Sequence, residues 1–420
     1  IKQWILDYGT SITNQALTNI SKLKDWQIKK LPEVVFFQEG PGVRNNQYTQ
    51  TGVKLLNVAN LVEGQVVLEN TNRYISEEEA YGKYNHFLVD EGDLIIASSG
   101  IKVEYFDKKM GFVKKEHLPL CMNTSTIRFK SLDNGNLNLK YFSYFLKSIY
   151  FKKQIARLIT GSAQLNFGPS HLKQIDVIVP PINIQNNIIN ILDKSKYLID
   201  KRKEQIEALD ELVKSQFIEM FSEVNEYVRV SEYIESLTAG KSLAGESECK
   251  NKVLNTGSIS YDYFDMNQVK NLPNDYIPKE EHLVNVGDVL ISRMNTSELV
   301  GATAYVWNVN PNIYIPDRLW KANFKPNCNP IFVWQLLIQN STKEKIRRIA
   351  SGTSGSMKNI SKLGLLGIEV IKVDIEKQNE FANFVKQVDK LKFEMEKSLK
   401  ELEDNFNSLM QKAFKGELFN

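Results

Sequence analysis

The feature that most constrains the fold is a stretch from Ile184 to Phe221 that contains no glycine or proline. Pro180 and Pro181 precede it, and they favour the start of a new helix because proline fits only the first helical turn. Mostly apolar positions recur at intervals of three and four, interrupted by Ser195, Arg202 and Gln216, which places them on one stripe of a helix. At a rise of 1.5 Å per residue this helix would be roughly 57 Å long, so it needs an equally long partner.

The same chain supplies that partner. Moving each stripe position forward by 193 residues gives a second apolar stripe. Both stripes show two successive intervals of four at the same place, which predicts a shared stutter that keeps two helices in register. The alternative is two unrelated amphipathic helices, each covering its own core. The residues predicted to pack the two helices together are Ile188, Ile191, Leu198, Ile206, Leu209 and Val213 with Phe381, Phe384, Leu391, Leu399, Leu402 and Phe406.

The repeat continues outside the helices. Gly92-Asp93-Leu94 matches Gly287-Asp288-Val289 at an offset of 195, and Asn166 and Gln185 match Asn359 and Gln378 at an offset of 193. We therefore predict an α+β fold built as a tandem duplication: two mixed α/β domains separated by two long antiparallel helices that form a coiled-coil spacer, with a pseudo-two-fold internal repeat. The predicted segments are a leader helix region (1–25), mixed domains (26–179 and 224–373) and long helices (180–223 and 374–420).

Composition excludes several classes of protein. The 420 residues are 42% hydrophobic and 25% charged, with no apolar run long enough to span a bilayer, so we expect no membrane association. The three cysteines are widely scattered, which favours a reducing cytoplasm and argues against a disulfide framework or a zinc site.

Catalytic motifs are mostly missing. Residues 235–242 look like the end of a phosphate-binding loop, but Glu235 replaces the first glycine and its carboxylate would oppose a phosphate. The four histidines have no metal-ligand spacing and no nucleophile motif beside them. A nuclease or NTPase that works alone is therefore disfavoured, and we expect no catalytic residues and no metal.

The charge pattern points to a polyanion. Residues 134–175 contain no acidic residue and several lysines, and the matching residues 318–368 contain a single acid, Glu344. Two cationic faces on one frame suit a nucleic acid that is contacted twice. The alternatives are two solvated lysine-rich faces, or a scaffold that binds acidic proteins.

Loops rich in hydroxyl, amide and guanidinium groups lie beside these basic runs. Serine and threonine bind phosphates, while asparagine, glutamine and arginine can pair with purine edges in the major groove. The candidate DNA contacts are Arg44, Lys54, Asn57, Ser98, Ser99, Lys102, Asn123, Thr124, Arg128, Ser162, Gln164 and Asn166 in the first copy and Lys241, Asn255, Thr256, Arg293, Asn295, Thr296, Arg318, Lys321, Ser354, Ser356, Lys358 and Asn359 in the second.

The chain resembles the DNA-specificity (S) subunits of type I restriction-modification systems over nearly its whole length from Trp26. The similar stretches are Trp26-Gln-Ile-Lys, Gly40-Pro-Gly-Val-Arg44, Gly92-Asp-Leu-Ile-Ile-Ala-Ser-Ser-Gly100, Asn123-Thr-Ser-Thr-Ile-Arg-Phe-Lys130, Gly287-Asp-Val-Leu-Ile-Ser-Arg-Met-Asn-Thr-Ser-Glu-Leu-Val-Gly301, Pro316-Asp-Arg-Leu319 and the helix 184–221. Two features depart from the family: residues 1–25 have no copy in the second half, and Val373-Asp374 stands where the first copy has Pro180-Pro181.

The resemblance implies a non-catalytic subunit with two target-recognition domains. Each domain would read one half of an asymmetric split target in double-stranded DNA, and the helical spacer would set the gap. Methylation and cleavage would belong to M and R subunits, with S-adenosylmethionine bound by M and no cofactor bound by this chain. The outer faces of the long helices are the expected contact for M.

Overall fold

The computed structural model describes residues 25–132, 136–159, 165–352 and 357–418. The chain divides into two compact units, the first made of Ile1–Arg202 and Ser398–Asn420 and the second of Lys203–Lys397. Both division points fall inside a long helix, because each half of a helix packs on the mixed domain nearest to it. This division differs from the five segments that the sequence suggests, in which the helices stand apart from the mixed domains.

The first unit contains four sheets of two to four strands and a separate small hairpin. Its four-stranded sheet is antiparallel with strand order β2-β11-β7-β9, and a three-stranded sheet has the order β10-β3-β6. The strands are β1 (Gln27–Lys30), β2 (Val35–Glu39), β3 (Val53–Leu56), β4 (Leu61–Val62), β5 (Gln65–Val66), β6 (Tyr74–Ile75), β7 (Leu94–Ala97), β8 (Ser99–Ile101), β9 (Met110–Phe112), β10 (Leu120–Met122), β11 (Thr126–Ser131), β12 (Leu165–Asn166) and β13 (Asp176–Val179). The helices are α1 (Glu77–Tyr81), α2 (Leu139–Lys147), α3 (Ile149–Leu158), α4 (Pro169–Leu172) and the first half of α5 (Ile182–Phe221).

The second unit repeats this plan. Its four-stranded sheet has the order β15-β22-β18-β20 and its three-stranded sheet the order β17-β16-β21. The strands are β14 (Tyr227–Arg229), β15 (Ile234–Ala239), β16 (Lys252–Leu254), β17 (Val269–Asn271), β18 (Val289–Ser292), β19 (Met294–Asn295), β20 (Thr303–Tyr305), β21 (Ile313–Tyr314), β22 (Leu319–Phe324), β23 (Lys358–Asn359) and β24 (Glu369–Ile371). The helices are α6 (Pro330–Ile338), α7 (Asn340–Ile349), α8 (Lys362–Leu366) and α9 (Ile375–Lys415), and the first half of α9 belongs to this unit.

Each unit buries a pair of antiparallel helix halves. In the first unit, Ile188 and Leu192 near the start of α5 share a core with Ala413 and Phe414 near the end of α9. In the second unit the order is reversed, and Phe217 near the end of α5 packs on Phe381 near the start of α9, with ring centroids 5.4 Å apart. The predicted α+β fold with two long antiparallel helices and an internal repeat is confirmed.

The stripe that packs the helices is regular, so the predicted stutter is wrong. Its buried and half-buried positions alternate intervals of four and three in both helices, the 3.5-residue period of a coiled coil. Ile199 is 4% exposed, whereas the predicted Leu198 is 53% exposed and the predicted Leu391 is 46% exposed. Lys392 takes the stripe position in α9, and its ammonium pairs with Asp210 at 2.6 Å. A search for apolar positions in α9 selects Leu391, because the adjacent stripe position is occupied by Lys392, which is not apolar.

The other predicted packing residues lie on or beside the stripe. Ile188, Leu209, Val213 and Phe381 are buried. The half-buried ones are Ile191, Ile206, Phe384, Leu399, Leu402 and Phe406.

A buried glutamine fastens the start of each long helix. The Gln185 amide donates to the Pro180 carbonyl at 2.8 Å and its oxygen accepts from the Asn138 backbone N–H at 2.8 Å. Gln378 makes the same two bonds, to the Val373 carbonyl at 2.7 Å and from the Asn329 N–H at 2.9 Å. The replacement of Pro180-Pro181 by Val373-Asp374 leaves this clamp intact because it uses a backbone oxygen.

Within the described residues, no helix has the length and apolar character needed to cross a bilayer.

Candidate nucleic-acid interface

Four segments that are distant in the sequence meet at one end of the first four-stranded sheet. Strands β2 and β7 finish there and β11 begins there, because β11 is antiparallel to both. The Gly40 N–H donates to the Thr126 carbonyl and the Ser98 N–H to the Ser125 carbonyl, each at 2.9 Å. The β8–β12 pair joins them through the Phe167 N–H, which donates to the Ser98 carbonyl at 3.0 Å. We call residues 40–44, 98–102, 123–125 and 165–168 the first loop end.

The second unit builds the same arrangement from residues 240–242, 293–297, 316–318 and 357–360, the second loop end. The Gly240 N–H donates to the Pro316 carbonyl at 3.1 Å and the Arg293 N–H to the Arg318 carbonyl at 3.0 Å. The β19–β23 pair is attached through the Ile360 N–H, which donates to the Arg293 carbonyl at 3.0 Å.

One glycine in each unit allows these segments to approach closely. A Cβ added to Gly40 would lie 2.0 Å from the Asn123 carbonyl oxygen, and one added to Gly240 would lie 1.7 Å from the Ile315 carbonyl oxygen. Backbone cannot yield to such contacts, so both positions require glycine. The loop ends are therefore built by the same steric device in both copies.

More than half of the predicted DNA contacts lie at these two loop ends. They are Arg44, Ser98, Ser99, Lys102, Asn123, Thr124 and Asn166 at the first and Lys241, Arg293, Asn295, Thr296, Arg318, Lys358 and Asn359 at the second. Four others, Ser162, Gln164, Ser354 and Ser356, lie outside the described residues. No observation tests whether any of them contacts DNA, and these assignments remain predictions.

Three of the candidates are buried and hold the first loop end together. The Asn123 side-chain oxygen accepts from the Val43 N–H at 3.2 Å, and its amide donates to the Asn57 side chain at 3.0 Å. Asn57, Ser98 and Asn123 are all buried. Their polar groups face the interior and position the loops, and their assignment as DNA contacts stays a prediction.

Arg128 and Lys321 are also structural. Both occupy the same place in the repeat, and each binds an aspartate: Arg128 lies 3.7 Å from the buried Asp93, and Lys321 lies 3.6 Å from the half-buried Asp288. The Arg128 guanidinium donates to the Leu88 carbonyl at 2.5 Å, and Lys321 donates to the Leu283 carbonyl at 2.8 Å. These side chains have partners within the domain, so the structure gives them a structural role, and their assignment as DNA contacts stays a prediction.

The remaining candidates lie on or beside the three-stranded sheets. The Lys54 ammonium lies over the Tyr74 ring, 5.1 Å from its centroid. Asn255 and Thr256 follow β16, where the Asn255 side chain accepts from the Gly257 N–H at 2.9 Å.

Burial controls the protonation of the aspartates in the two basic–acidic pairs. Burial raises the pKa of Asp93, although the Asp90 N–H and the charges of Lys130 and Arg128 oppose the shift. Burial raises the pKa of Asp288 in the same way, opposed by the Asn285 N–H and by Lys321. In both pairs the backbone N–H and the nearby cations favour the charged carboxylate against the effect of burial.

Much of the positive charge in the basic runs is used inside each unit. Lys152 pairs with Asp107 at 2.7 Å, Lys140 pairs with Asp193 at 3.3 Å, and Lys343 pairs with Asp262. Lys153 is buried, and burial lowers its pKa. Arg157, Lys173 and Arg318 are exposed. The absence of acids in the sequence therefore overstated the charge available to a partner, because the neutralising acids come from other segments.

One functional neighbour escaped the sequence reasoning. The Arg293 guanidinium carbon lies 5.7 Å from the centroid of the Trp320 ring, and its Nε donates to the Asn359 side-chain oxygen at 3.4 Å. Trp320 is a large apolar residue in β22, so the sequence indicates only a core residue. Among the described residues, no group of three or more histidine, cysteine or acidic side chains is placed to hold a metal ion.

Comparison with known proteins shows which domains and proteins this chain is similar to. Residues 23–209 match the type I restriction modification DNA specificity domain. The chain is 27% identical to the MjaVIII specificity subunit of Methanocaldococcus jannaschii over 197 residues, 44% of each protein. It is 22% identical to the EcoKI specificity subunit of Escherichia coli K12 over 303 residues, 66% of this chain and 65% of that subunit. The matches thus span less than half of the first relative and just under two thirds of the second.

Solved structures share the fold. The S subunit of a type I restriction-modification system from M. genitalium aligns with a TM-score of 0.50 and 16% identity over 93% of this chain and 96% of that one. A chain from a type I system described in terms of complex assembly and conformational transition aligns with a TM-score of 0.59 and 15% identity over 94% and 99%. Residues 23–209 are thus similar to the type I restriction modification DNA specificity domain, and the chain shares the fold of these solved structures.

Proposed function

We propose that this chain selects the DNA target of a type I restriction-modification enzyme by reading two separate half-sequences. The first loop end contacts one half of the target and the second loop end contacts the other. The target is asymmetric, since the exposed side chains of the two loop ends differ.

The observation that carries this proposal is the duplication of the loop-end architecture with different side chains. Gly40 and Gly240 place their segments alike, whereas the half-buried Arg293 of the second copy stands where the first copy has the buried Ser98. A shared frame with different polar groups suits two readers of different base sequences, because base edges are distinguished by their patterns of donors and acceptors.

The long helices act as the spacer in this proposal. Their regular stripe supports a coiled coil, whose length changes only by whole heptads if the packing is to be kept. The separation of the half-sequences follows from the number of heptads.

Catalysis belongs to other subunits in this proposal. M subunits bring S-adenosylmethionine and methylate the target, and R subunits cleave DNA. Large apolar side chains that are exposed on the long helices are the groups that a contact with M subunits would cover. They include Tyr197, Leu198, Ile218 and Phe393.

Mapping of methylated bases in cells that express this chain with its M subunit tests the proposal. We expect one asymmetric motif with two specified halves and an unspecified gap of fixed length. A contiguous motif, or methylation that does not depend on this chain, would contradict it.

A change in helix length tests the spacer. Removal of seven residues at matching depth from α5 and α9 keeps the stripe in phase and shortens the rod by about 10 Å, roughly three base pairs of DNA. We expect the gap to change while both half-sequences stay the same. The matched control removes seven residues from α5 alone, which breaks the pairing and abolishes methylation. A change in the half-sequences themselves would contradict the spacer role.

A further inference from the structure

The second loop end holds one cation in a fixed orientation. Arg293 directly follows the end of β18, an interior strand of the sheet, and its guanidinium carbon lies 5.7 Å from the centroid of the Trp320 ring. Its Nε donates to the Asn359 side-chain oxygen at 3.4 Å. Trp320 is buried in the core of the second unit, so the surface beneath the guanidinium is rigid.

This support sets the plane of the guanidinium. A ring beneath it and an amide oxygen at its Nε restrict rotation of a side chain that otherwise has many rotamers. An arginine prepared in this way loses less conformational freedom when it binds. Among the described residues, the hydrogen bond that the structure gives this guanidinium uses Nε, which leaves the fork of two terminal nitrogens for a ligand.

A planar fork of donors matches two acceptors side by side. Guanine presents its O6 and N7 together in the major groove, and arginine binds both at once. A phosphate needs only a nearby positive charge, which the exposed Arg318 and Lys241 of the same loop end can provide without a ring or an amide to orient them. The orientation of Arg293 therefore favours a base edge over the DNA backbone.

The first loop end lacks this device. Ser98 occupies the place of Arg293 in the repeat and is buried, and Ile127 occupies the place of Trp320. Asn166 alone is kept, in the place of Asn359. Because of this difference, the two loop ends cannot read the same base with this side chain.

We propose that Arg293, oriented by Trp320 and Asn359, reads a guanine in the half-sequence bound by the second unit. This inference rests on the proposed function above. It assigns one base of one half-sequence to one side chain and gives the other half a different reader.

Methylation mapping with the full chain and its M subunit tests the assignment, with Arg293→Lys and Arg293→Ala compared with the unaltered chain. We expect both variants to accept other bases at one G·C pair of one half, with discrimination at that pair reduced about tenfold to a hundredfold. The other half should be unchanged. Arg293→Lys keeps the charge and loses the fork, so it separates base reading from charge. Thermal unfolding shows whether Arg293→Ala folds. If it does not, the methylation pattern of Arg293→Lys alone tests the assignment.

Arg318→Ala is the matched control, since it removes an exposed cation from the same loop end. We expect weaker methylation at all sites with no relaxed position. The inference is overturned if the Arg293 variants lose methylation evenly, if Arg318→Ala relaxes the same base pair, or if neither half of the unaltered motif contains a G·C pair at the relaxed position. If the unaltered chain gives no split motif, the proposed function is overturned instead. This outcome is known before any variant is tested, so the two failures can be distinguished.

Discussion

The two units share the parts that hold a long helix on a sheet and differ in the parts that face outward. Arg128–Asp93 corresponds to Lys321–Asp288, and the Gln185 clamp corresponds to that of Gln378. At the loop ends the correspondence stops, because Arg293 on Trp320 has no equivalent in the first unit. Duplication thus kept the contacts on which folding depends and allowed the exposed side chains to diverge.

The largest expected effect contrasts Phe381 with Ile188, its equivalent in the first unit. Both are fully buried, but the Phe381 ring packs among Phe217, Phe221 and Phe332. Phe381→Ala should reduce the free energy of unfolding by about 3–5 kcal/mol, and Ile188→Ala by about 2–5 kcal/mol. Hydrogen exchange resolved by residue would show the loss in the second unit for Phe381 and in the first for Ile188. Phe393→Ala, at a 62% exposed site of α9, is the control and should change stability by less than about 0.5 kcal/mol.

The next comparison concerns the two basic–acidic pairs. The side chains of Arg128 and Asp93 are 7% and 5% exposed, whereas those of Lys321 and Asp288 are 12% and 20% exposed. Arg128→Met leaves a buried carboxylate unpaired and should cost about 3–5 kcal/mol. Lys321→Met should cost less, about 1–3 kcal/mol, because water reaches Asp288 more easily. Urea unfolding measures the free energy of unfolding of both variants. Equal losses of stability would contradict the expected difference between the two pairs.

The same pair has a pH dependence with a defined sign. Burial raises the pKa of Asp93 above its unfolded value, so the folded state binds this proton more tightly than the unfolded state. The contribution of the protonated Asp93 to the free energy of unfolding is complete below the pKa of the unfolded state, about 3.9. This contribution is lost as the pH rises through the pKa of the folded state. In Arg128→Met the folded pKa rises further, so the cost of the substitution should shrink as the pH falls towards 4. A cost that is constant with pH would contradict this account.

The stripe of the long helices offers a third comparison. Ile199 and Lys392 occupy equivalent positions, and Ile199 is buried while Lys392 pairs with Asp210. Ile199→Ala should cost about 2–4 kcal/mol, and Lys392→Ala under about 1 kcal/mol. Leu198→Ala, one residue away and 53% exposed, should cost under about 0.5 kcal/mol. Thermal unfolding of the three variants shows which positions lie on the buried stripe. A larger loss of stability for Leu198→Ala than for Ile199→Ala would support the stutter instead.

The smallest effect belongs to Asp389, whose equivalent in the first unit is Lys196, paired with Asp200 at 2.7 Å. Burial, with Glu396 and Asp210 nearby, raises the pKa of Asp389 to about 6. Because the unfolded value is lower, the stability of the second unit should fall as the pH rises from 5 to 7. Asp389→Asn should remove part of this fall and leave stability near pH 4 unchanged. An NMR titration of the Asp389 carboxyl measures the pKa directly, and a midpoint near 4 would contradict the prediction.

The site was only partly predictable from the sequence. The polar segments around Ser98, Asn166, Arg293 and Asn359 were identified from their composition, and the structure brings them together in pairs. Arg128 shows the limit of such reasoning, because in the sequence a basic side chain that neutralises a buried aspartate looks the same as one that binds a phosphate. Only the register that sets β11 beside β7 brings Arg128 close to Asp93.

The sequence by itself determined the tandem repeat, the α+β class and the two long helices. Periodicity and the repeat offset are properties of the chain that survive any folding, and two glycine-free and proline-free stretches can form little except helices. The tertiary structure alone decided the phase of the stripe, where Lys392 replaces an apolar residue, and the division of polar residues between interior and surface. The physical reason is that burial and pairing depend on partners far away in the sequence, and residue type does not specify which partner a charge will meet.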